Sequence, residues 1–211
     1  MNVIGIFGGT FDPIHNGHLR LAIELYERLN LAQVRLILSA CPPHKQPNVT
    51  SRQRLQMVQT AVNGIQGLAV DERELQQQGF SYTINTLNSL RKDYSNYSLG
   101  LILGMDSFLS LPSWYKWENI IDLAHIIVVN RGQFNLPISS PMHSFLHGHQ
   151  TDNFKDLTNQ IAGKIWFQKI PTLNISATQI RDLIIAKKNP SCLIPAAVLD
   201  IINTQQLYGN I

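Results

Sequence analysis

The chain has 211 residues, of which 44% are hydrophobic and 15% charged, so a packed core is expected and disorder is excluded. A formal net charge of +3 without a dense basic run gives no support for a nucleic-acid partner. The two cysteines form no C-x-x-C pair, which excludes a zinc ribbon, and no apolar run approaches the roughly 20 residues that span a bilayer.

Short apolar runs alternate with segments of helical periodicity along most of the chain. In chain order, the patterns of the first part predict a strand at 3–7, a helix opening at Asn16 as N-cap, a strand at 34–38, a helix opening at a Thr50–Gln53 capping box and a strand at 68–70. They then predict a helix opening at 81–83, a strand at 99–103, a helix over 114–123 and a strand at 126–129. A loop or short helical insertion over 132–163 is followed by a strand at 165–167, a helix from Ser176 to Ala186 and a last helix from Pro195.

This alternation predicts right-handed β-α-β units, and therefore an α/β fold with a Rossmann-like, doubly wound parallel sheet and helices on both faces. We expect one domain over residues 1–211, with the sheet core in 1–170 and a small C-terminal helical part in 171–211. In such sheets ligands bind at the carboxyl ends of the strands, near the switch in strand order. The residues that follow strands are therefore the candidates for function.

The first candidate motif, residues 8–19, reads G-G-T-F-D-P-I-H-N-G-H-L and joins the first strand to the first helix. Gly8 and Gly9 leave room for a phosphate chain, and the amides of the turn and of the helix start are donors for it. His15 and His18 lie three residues apart at the helix entrance and can both donate to one anion. The string matches neither the P-loop nor the dinucleotide fingerprint. A tight turn with helix-terminal histidines is the purely structural alternative.

The second candidate motif, residues 175–181, reads I-S-A-T-Q-I-R at the start of a late helix. Ser176 and Thr178 place hydroxyls among the free amides of the first turn, and Arg181 follows one turn later, within reach of the same anion. An ordinary capping box with a solvated Arg181 is the alternative interpretation.

The first string resembles the signature of the nucleotidyltransferases that share an H-x-G-H motif, and the second is similar to the I-S-[ST]-x-x-I-R element of that family. Class I aminoacyl-tRNA synthetases have a signature of the same style. The resemblance implies adenylyl transfer in which His15, His18 and Arg181 stabilise the transition state. It also implies an ATP site that includes Gly8, Gly9, Thr10, Phe11, Ser176 and Thr178.

Four further elements resemble the bacterial nicotinate-mononucleotide adenylyltransferases: P-P-H-K at 42–45, S-Y-T at 81–83, G-M-D-S at 104–107 and L-P-S-W-Y at 111–115. The resemblance implies that Gly104, Asp106 and Ser107 lie on the adenosine side. It implies an acceptor site of His44, Lys45, Tyr82, Thr83, Trp114, Tyr115 and Arg131. The N-R-G turn that contains Arg131 lacks the proline of the family pattern. Aromatic faces suit a flat pyridine ring, and amides at a helix start suit its carboxylate.

The resemblance implies ATP, with the Mg²⁺ that it carries, and nicotinate mononucleotide as substrates, and nicotinate adenine dinucleotide and pyrophosphate as products in NAD biosynthesis. Nicotinamide mononucleotide or 4'-phosphopantetheine as acceptor, and a non-catalytic nucleotide sensor, remain the alternatives. We expect no metal site in the protein itself, since His143, His147 and His149 fall in a polar segment. We further expect a cytoplasmic protein without nucleic-acid or membrane partners, and a homo-oligomer is left open.

Overall fold

The computed structural model describes residues 1–130, 141–171 and 173–209. Within these ranges six strands form one sheet: β1 (Val3–Gly9), β2 (Gln33–Leu38), β3 (Leu68–Asp71), β4 (Ser98–Gly104), β5 (His125–Asn130) and β6 (Ile165–Lys169). Every pairing is parallel, and the order is β3-β2-β1-β4-β5-β6. The predicted Rossmann-like order, with its reversal between β1 and β4, is confirmed.

The α-helices of the described ranges are α1 (Asn16–Arg28), α2 (Ser51–Val62), α3 (Thr83–Asp93), α4 (Met105–Leu109), α5 (Ile120–Leu123), α6 (Pro141–His149), α7 (Lys155–Asn159), α8 (Ala177–Ile185) and α9 (Ala196–Thr204). Short 3₁₀ helices cover Arg73–Gln76, Leu111–Ser113 and Trp117–Asn119. The predicted capping box of α2 is present, because the Thr50 hydroxyl accepts from the Gln53 amide and the Gln53 side chain accepts from Thr50.

The sheet buries both of its faces. In β1, Val3 and Phe7 join an apolar cluster with α1, α2, α8 and α9, whereas Ile4 and Ile6 join a second cluster with α3, α5 and α6. Alternate side chains of a strand point to opposite faces, so this division places helices on both sides of the sheet. The doubly wound architecture follows from it.

The chain after β6 packs on the first half of the molecule. Ile180 of α8 and Val198 and Ile202 of α9 are buried in the same cluster as β1 and α1. This packing brings residues near 180 next to residues near 15, which positions the second motif. The division into a core and a C-terminal helical part stays a prediction.

Three local predictions were wrong. Gly8 and Gly9 are not a tight turn after the first strand, because they are the last two residues of β1 and pair with β2. The N-cap of α1 is His15 rather than Asn16, because His15 has extended backbone angles while Asn16 is already helical. Residues 114–123 do not form one helix: Lys116 has a φ of 52°, which breaks the helical path between two short elements. Leu111 and Ile120 are both fully buried, and the chain turns between these two anchors. Tertiary packing overrides local helical preference here.

The predicted insertion contains α6 and α7, and residues 131–140 lie outside the described residues. Among the residues that the structure describes, no three His, Cys, Asp or Glu side chains come together as a metal-binding group. His149 instead bonds through Nδ1 to the Gly163 carbonyl at 3.0 Å. Both cysteines are free and exposed. In the described ranges no helix is long and apolar enough to cross a membrane.

Candidate active site

The glycines at the ends of β1 and β4 open a cleft at the switch in strand order. A Cβ atom added at Gly8 or at Gly104 would meet nothing within 4 Å, so both backbones face open space. Gly9 is required for a different reason, because its Cβ would lie 2.7 Å from the ring of Phe11. Phe11 has a φ of 49°, and its ring folds back over Gly9. A ligand can therefore approach the backbone at the carboxyl ends of the two strands.

The two histidines of the first motif stack on each other at the N-terminus of α1. Their ring centroids are 3.6 Å apart, and His15 is only 5% exposed. Gly17 makes room for this arrangement, since a Cβ there would lie 3.0 Å from Nδ1 of His15. The rings of Phe7 and Phe11 pack around His18 at 6.1 and 5.1 Å. The histidines are held by packing before any ligand binds.

The tautomer of His18 follows from its backbone contact. Its Nδ1 accepts the N–H of His15 at 3.3 Å, so in the neutral ring Nε2 carries the proton and is the donor. Burial lowers the pKa of His15 to about 4. Burial also holds the pKa of His18 well below its ordinary value, and the charges of His15 and Lys45 push it down further. Both rings are therefore neutral donors at neutral pH.

The structure brings the second motif to the first. Nη1 of Arg181 donates to the carbonyl of Asp12 at 2.6 Å, across 169 positions of sequence, and Nη2 lies 3.3 Å from the Thr178 hydroxyl. Ser176 caps α8, as predicted, by accepting from the Gln179 amide at 3.1 Å. The guanidinium and the two histidines thus lie on the same side of the molecule, near the carboxyl end of β1.

An aromatic surface borders the cleft at the start of α3. Tyr82 is the N-cap of this helix and Thr83 its first residue, so the free amides of the first turn point toward the cleft side of the sheet. The rings of Tyr82 and Tyr115 are 4.8 Å apart, and Tyr115 is 48% exposed. Trp114 is half-buried beside them. These rings are available to a flat ligand at that end.

A loop after β2 closes another side of the cleft. Ser81 and Cys41 hold it to the segment before α3, since the Ser81 amide donates to the Cys41 carbonyl at 2.8 Å and the Ser81 hydroxyl accepts from the Cys41 amide at 3.0 Å. His44 and Lys45 are exposed on this loop. The charge of Lys45 contributes to the lowered pKa of His18, so the loop lies near the histidine pair.

The cleft has a volume of about 400 Å³. Of the predicted site residues it is lined by Gly8, Gly9, Thr10, His44, Lys45, Tyr82, Thr83, Gly104, Ser107, Trp114 and Tyr115. The others lie outside this lining. Phe11, His15 and His18 pack behind the carboxyl end of β1. Ser176 caps α8, and Thr178 and Arg181 lie on that helix. Asp106 is exposed on α4, and Arg131 lies outside the described residues.

Sequence reasoning missed several buried polar residues that support the cleft. Arg54 of α2 is 1% exposed and donates to the carbonyls of Thr10, Ser39 and Ala40 at 2.7–3.0 Å. It therefore ties the turn after β1 to the loop after β2. Its position within an apolar helical stripe was the available signal, because an arginine there must find acceptors in the interior.

Glu74 is a second missed residue, and it lines the cleft on the side of α3. Its side chain is 8% exposed, and Oε1 accepts the Thr86 hydroxyl at 2.5 Å. Thr86 lies one turn inside α3, so this bond fixes the first turn of that helix against the 3₁₀ helix Arg73–Gln76. No sequence motif pointed to Glu74, because its partner lies in a separate element.

Glycines at the ends of β1 and β4, histidines at the start of α1 and an arginine from a distant helix define an α/β protein with a cleft suited to a nucleotide. Comparison with known proteins makes the class specific. Residues 6–183 match the model of the cytidylyltransferase-like family, and this chain belongs to that family.

Curated relatives agree over nearly the whole length. A probable nicotinate-nucleotide adenylyltransferase of Aeromonas salmonicida is 43% identical over 206 residues, covering 97% of this chain and 96% of the relative. One of Methylococcus capsulatus is 38% identical over 209 residues, covering 98% and 100%. The resemblance drawn from the motifs is confirmed.

Solved structures share the fold. The Plasmodium falciparum nicotinic acid mononucleotide adenylyltransferase complexed with NaAD has a TM-score of 0.74 and 19% identity, covering 99% of this chain and 98% of that one. The same enzyme complexed with APC has a TM-score of 0.71 and 18% identity, with the same coverage.

Proposed function

We propose that this chain is an adenylyltransferase that moves AMP from ATP to nicotinate mononucleotide, giving nicotinate adenine dinucleotide and pyrophosphate in NAD biosynthesis. The observation that carries the proposal is one cleft with two different flanks. On one flank lie the two histidines and Arg181, which come from opposite ends of the chain and which we propose bind phosphate, and on the other flank lies an aromatic helix start. The names of relatives that are 38–43% identical over nearly full length support the same activity.

In the proposed reaction an oxygen of the acceptor phosphate attacks the α-phosphorus of ATP. A new P–O bond forms there, the bond to the bridging oxygen between the α- and β-phosphorus breaks, and pyrophosphate leaves with its electron pair. The attacking phosphate is already anionic, so the protein needs no nucleophile of its own. Positioning and neutralisation of charge account for catalysis in such a step.

The phosphate flank supplies the proposed catalytic groups. His18, through Nε2, and Arg181 face the charge that develops on the triphosphate, and His15 supports His18 by stacking. Ser176 and Thr178 anchor phosphate oxygens at the start of α8. ATP enters as its Mg²⁺ complex, and the segment Gly8, Gly9, Thr10 and Phe11 at the end of β1 receives it, with Gly104, Asp106 and Ser107 on the adenosine side.

The aromatic flank supplies the proposed acceptor site. Trp114 and Tyr115 stack on the pyridine ring, with the Tyr82 ring beside Tyr115, and the free amides that begin at Thr83 of α3 receive its carboxylate. His44 and Lys45, with Arg131 beyond the described residues, hold the acceptor phosphate. A neutral carboxamide gains less from these amides, so the acid is the preferred acceptor.

The decisive assay follows pyrophosphate release from ATP and Mg²⁺ with each acceptor in turn. We expect rapid release with nicotinate mononucleotide, weaker release with nicotinamide mononucleotide, and none with 4'-phosphopantetheine. Release with 4'-phosphopantetheine and with no other acceptor would show that the chain is instead an adenylyltransferase for that acceptor. ATP binding without release for any acceptor would establish the non-catalytic sensor instead.

A further inference from the structure

The carboxylate of Asp12 is a buried junction between distant parts of the chain. Asp12 is 1% exposed, and its Oδ2 accepts from both the amide and the side-chain nitrogen of Asn48, at 2.8 and 2.9 Å. Its Oδ1 accepts the phenol of Tyr208 at 2.9 Å, across 196 positions of sequence. We call Asp12, Asn48 and Tyr208 the Asp12 clamp. The same residue holds Arg181 through its carbonyl.

The clamp joins the two flanks of the cleft. On one side, Asp12 precedes His15 by three positions, and its carbonyl accepts from the guanidinium of Arg181. On the other, Asn48 ends the loop that carries His44 and Lys45. A displacement of Asp12 would therefore move both the triphosphate-binding groups and the acceptor loop.

Tyr208 is buried and has an unusual backbone conformation. It is 3% exposed, and both Tyr208, with a φ of 64°, and Gln206, with a φ of 52°, adopt the left-handed conformation that residues other than glycine rarely adopt. Such conformations persist where surrounding contacts over-determine them, and they concentrate near functional sites. Burial and the neighbouring Asp12 raise the pKa of Tyr208, so its phenol remains a donor.

We infer that Tyr208 is a positioning residue for nucleotide binding and transfer, acting through Asp12 to hold Arg181 and the His44–Lys45 loop in register. Tyr208 itself lines no part of the cleft and touches no substrate in this role. The inference rests on the proposed function only for its rate measurement. The expected effect of losing the Tyr208 hydroxyl on ATP binding follows from the position of Arg181 and does not require that AMP is transferred.

The test compares Tyr208→Phe, which keeps the ring and removes the hydroxyl, with Tyr26→Phe at the far end of α1 as the matched control. Thermal melting first shows that each variant is folded, and the assays are run well below its Tm. For Tyr208→Phe we expect kcat to fall about tenfold or more and the Kd for ATP to rise about threefold or more, since small displacements of positioned groups slow transfer strongly. Tyr26→Phe should change neither quantity by more than about twofold.

Asn48→Ala provides a second variant at an exposed position, where folding is expected to be retained. The double variant Tyr208→Phe/Asn48→Ala should be no slower than the slower single variant by more than about twofold, because both act through one carboxylate. A folded Tyr208→Phe with kcat and ATP Kd within twofold of the parent would overturn the inference, as would fully multiplicative effects in the double variant. ATP titration needs no turnover, so it tests the clamp even if the parent fails to transfer AMP to nicotinate mononucleotide.

Discussion

At the residue scale, the histidine pair shows how packing prepares a group for anion binding. His15 and His18 are desolvated and stacked, and both have a lowered pKa, so neither carries a charge at neutral pH in the free protein. A neutral imidazole with a fixed tautomer donates one directed hydrogen bond. The role that we propose for His18 therefore rests on a positioned hydrogen-bond donor rather than on a permanent positive charge.

We predict that His18→Ala lowers kcat by about 10²-fold or more, equivalent to about 2.7 kcal/mol of transition-state stabilisation. The reason is the loss of the Nε2 donor at the mouth of α1. Steady-state pyrophosphate release measures the effect, and His147→Ala, at an exposed position of α6, is the matched control. Near-normal turnover in the His18 variant would remove this residue from the chemistry.

The pKa of His15 makes a prediction about stability. The folded protein lowers the pKa of His15 to about 4. Between pH 6.5 and 4, His15 is therefore protonated in the unfolded chain but remains mostly neutral in the folded protein. The free energy of unfolding should therefore fall as the pH falls through this window. Urea unfolding at pH 7 and pH 4.5 should show a loss that is larger in the parent than in His15→Asn, by on the order of 2 kcal/mol. Equal losses in the two proteins would show that His15 is not the group that titrates.

Trp114 tests the acceptor flank. We expect Trp114→Ala to raise KM for nicotinate mononucleotide several-fold while KM for ATP changes little, because only the acceptor loses a stacking surface. Tyr97→Ala, an exposed aromatic residue before the amino end of β4, is the control. Equal rises for both substrates would contradict the stacking role.

At the element scale, the two glycines that end β1 separate folding from function. Gly9→Ala places a Cβ 2.7 Å from the Phe11 ring and should lower the free energy of unfolding by about 1–3 kcal/mol. Gly8→Ala meets no protein atom, so its stability should match the parent, yet its methyl group projects into the cleft and should weaken ATP binding. Urea unfolding and ATP titration on the two variants measure this difference. Normal ATP affinity in folded Gly8→Ala would place the phosphates elsewhere.

The elements themselves were largely predictable from local patterns. All six strands were predicted because each contains a short, mainly apolar run, and the caps of α2 and α8 were predicted because hydroxyl side chains stand at the right spacing. The break at Lys116 was not, because it depends on how Leu111 and Ile120 are buried on the finished sheet. The His15 cap escaped detection for a related reason: imidazole stacking favours it over a better capping residue, Asn16.

At the scale of the whole molecule, sequence patterns identified the two phosphate motifs but not how they are joined. The contacts of Asp12 with Arg181 and Tyr208 link residues more than 160 positions apart, and no local spacing encodes such pairs. Arg54 and Glu74 escaped detection because their partners are backbone carbonyls or side chains of other elements. The packing of α8 and α9 against β1 and α1 brings Arg181 and Tyr208 to Asp12.

The central claim is that two distant segments grip one triphosphate at the β1–β4 crevice. A crystal structure with a non-hydrolysable ATP analogue, Mg²⁺ and nicotinate mononucleotide tests it most directly. We predict the triphosphate in contact with both the His18 imidazole and the Arg181 guanidinium, and the pyridine ring against Trp114. A triphosphate that is bound away from either of the first two side chains would contradict the claim.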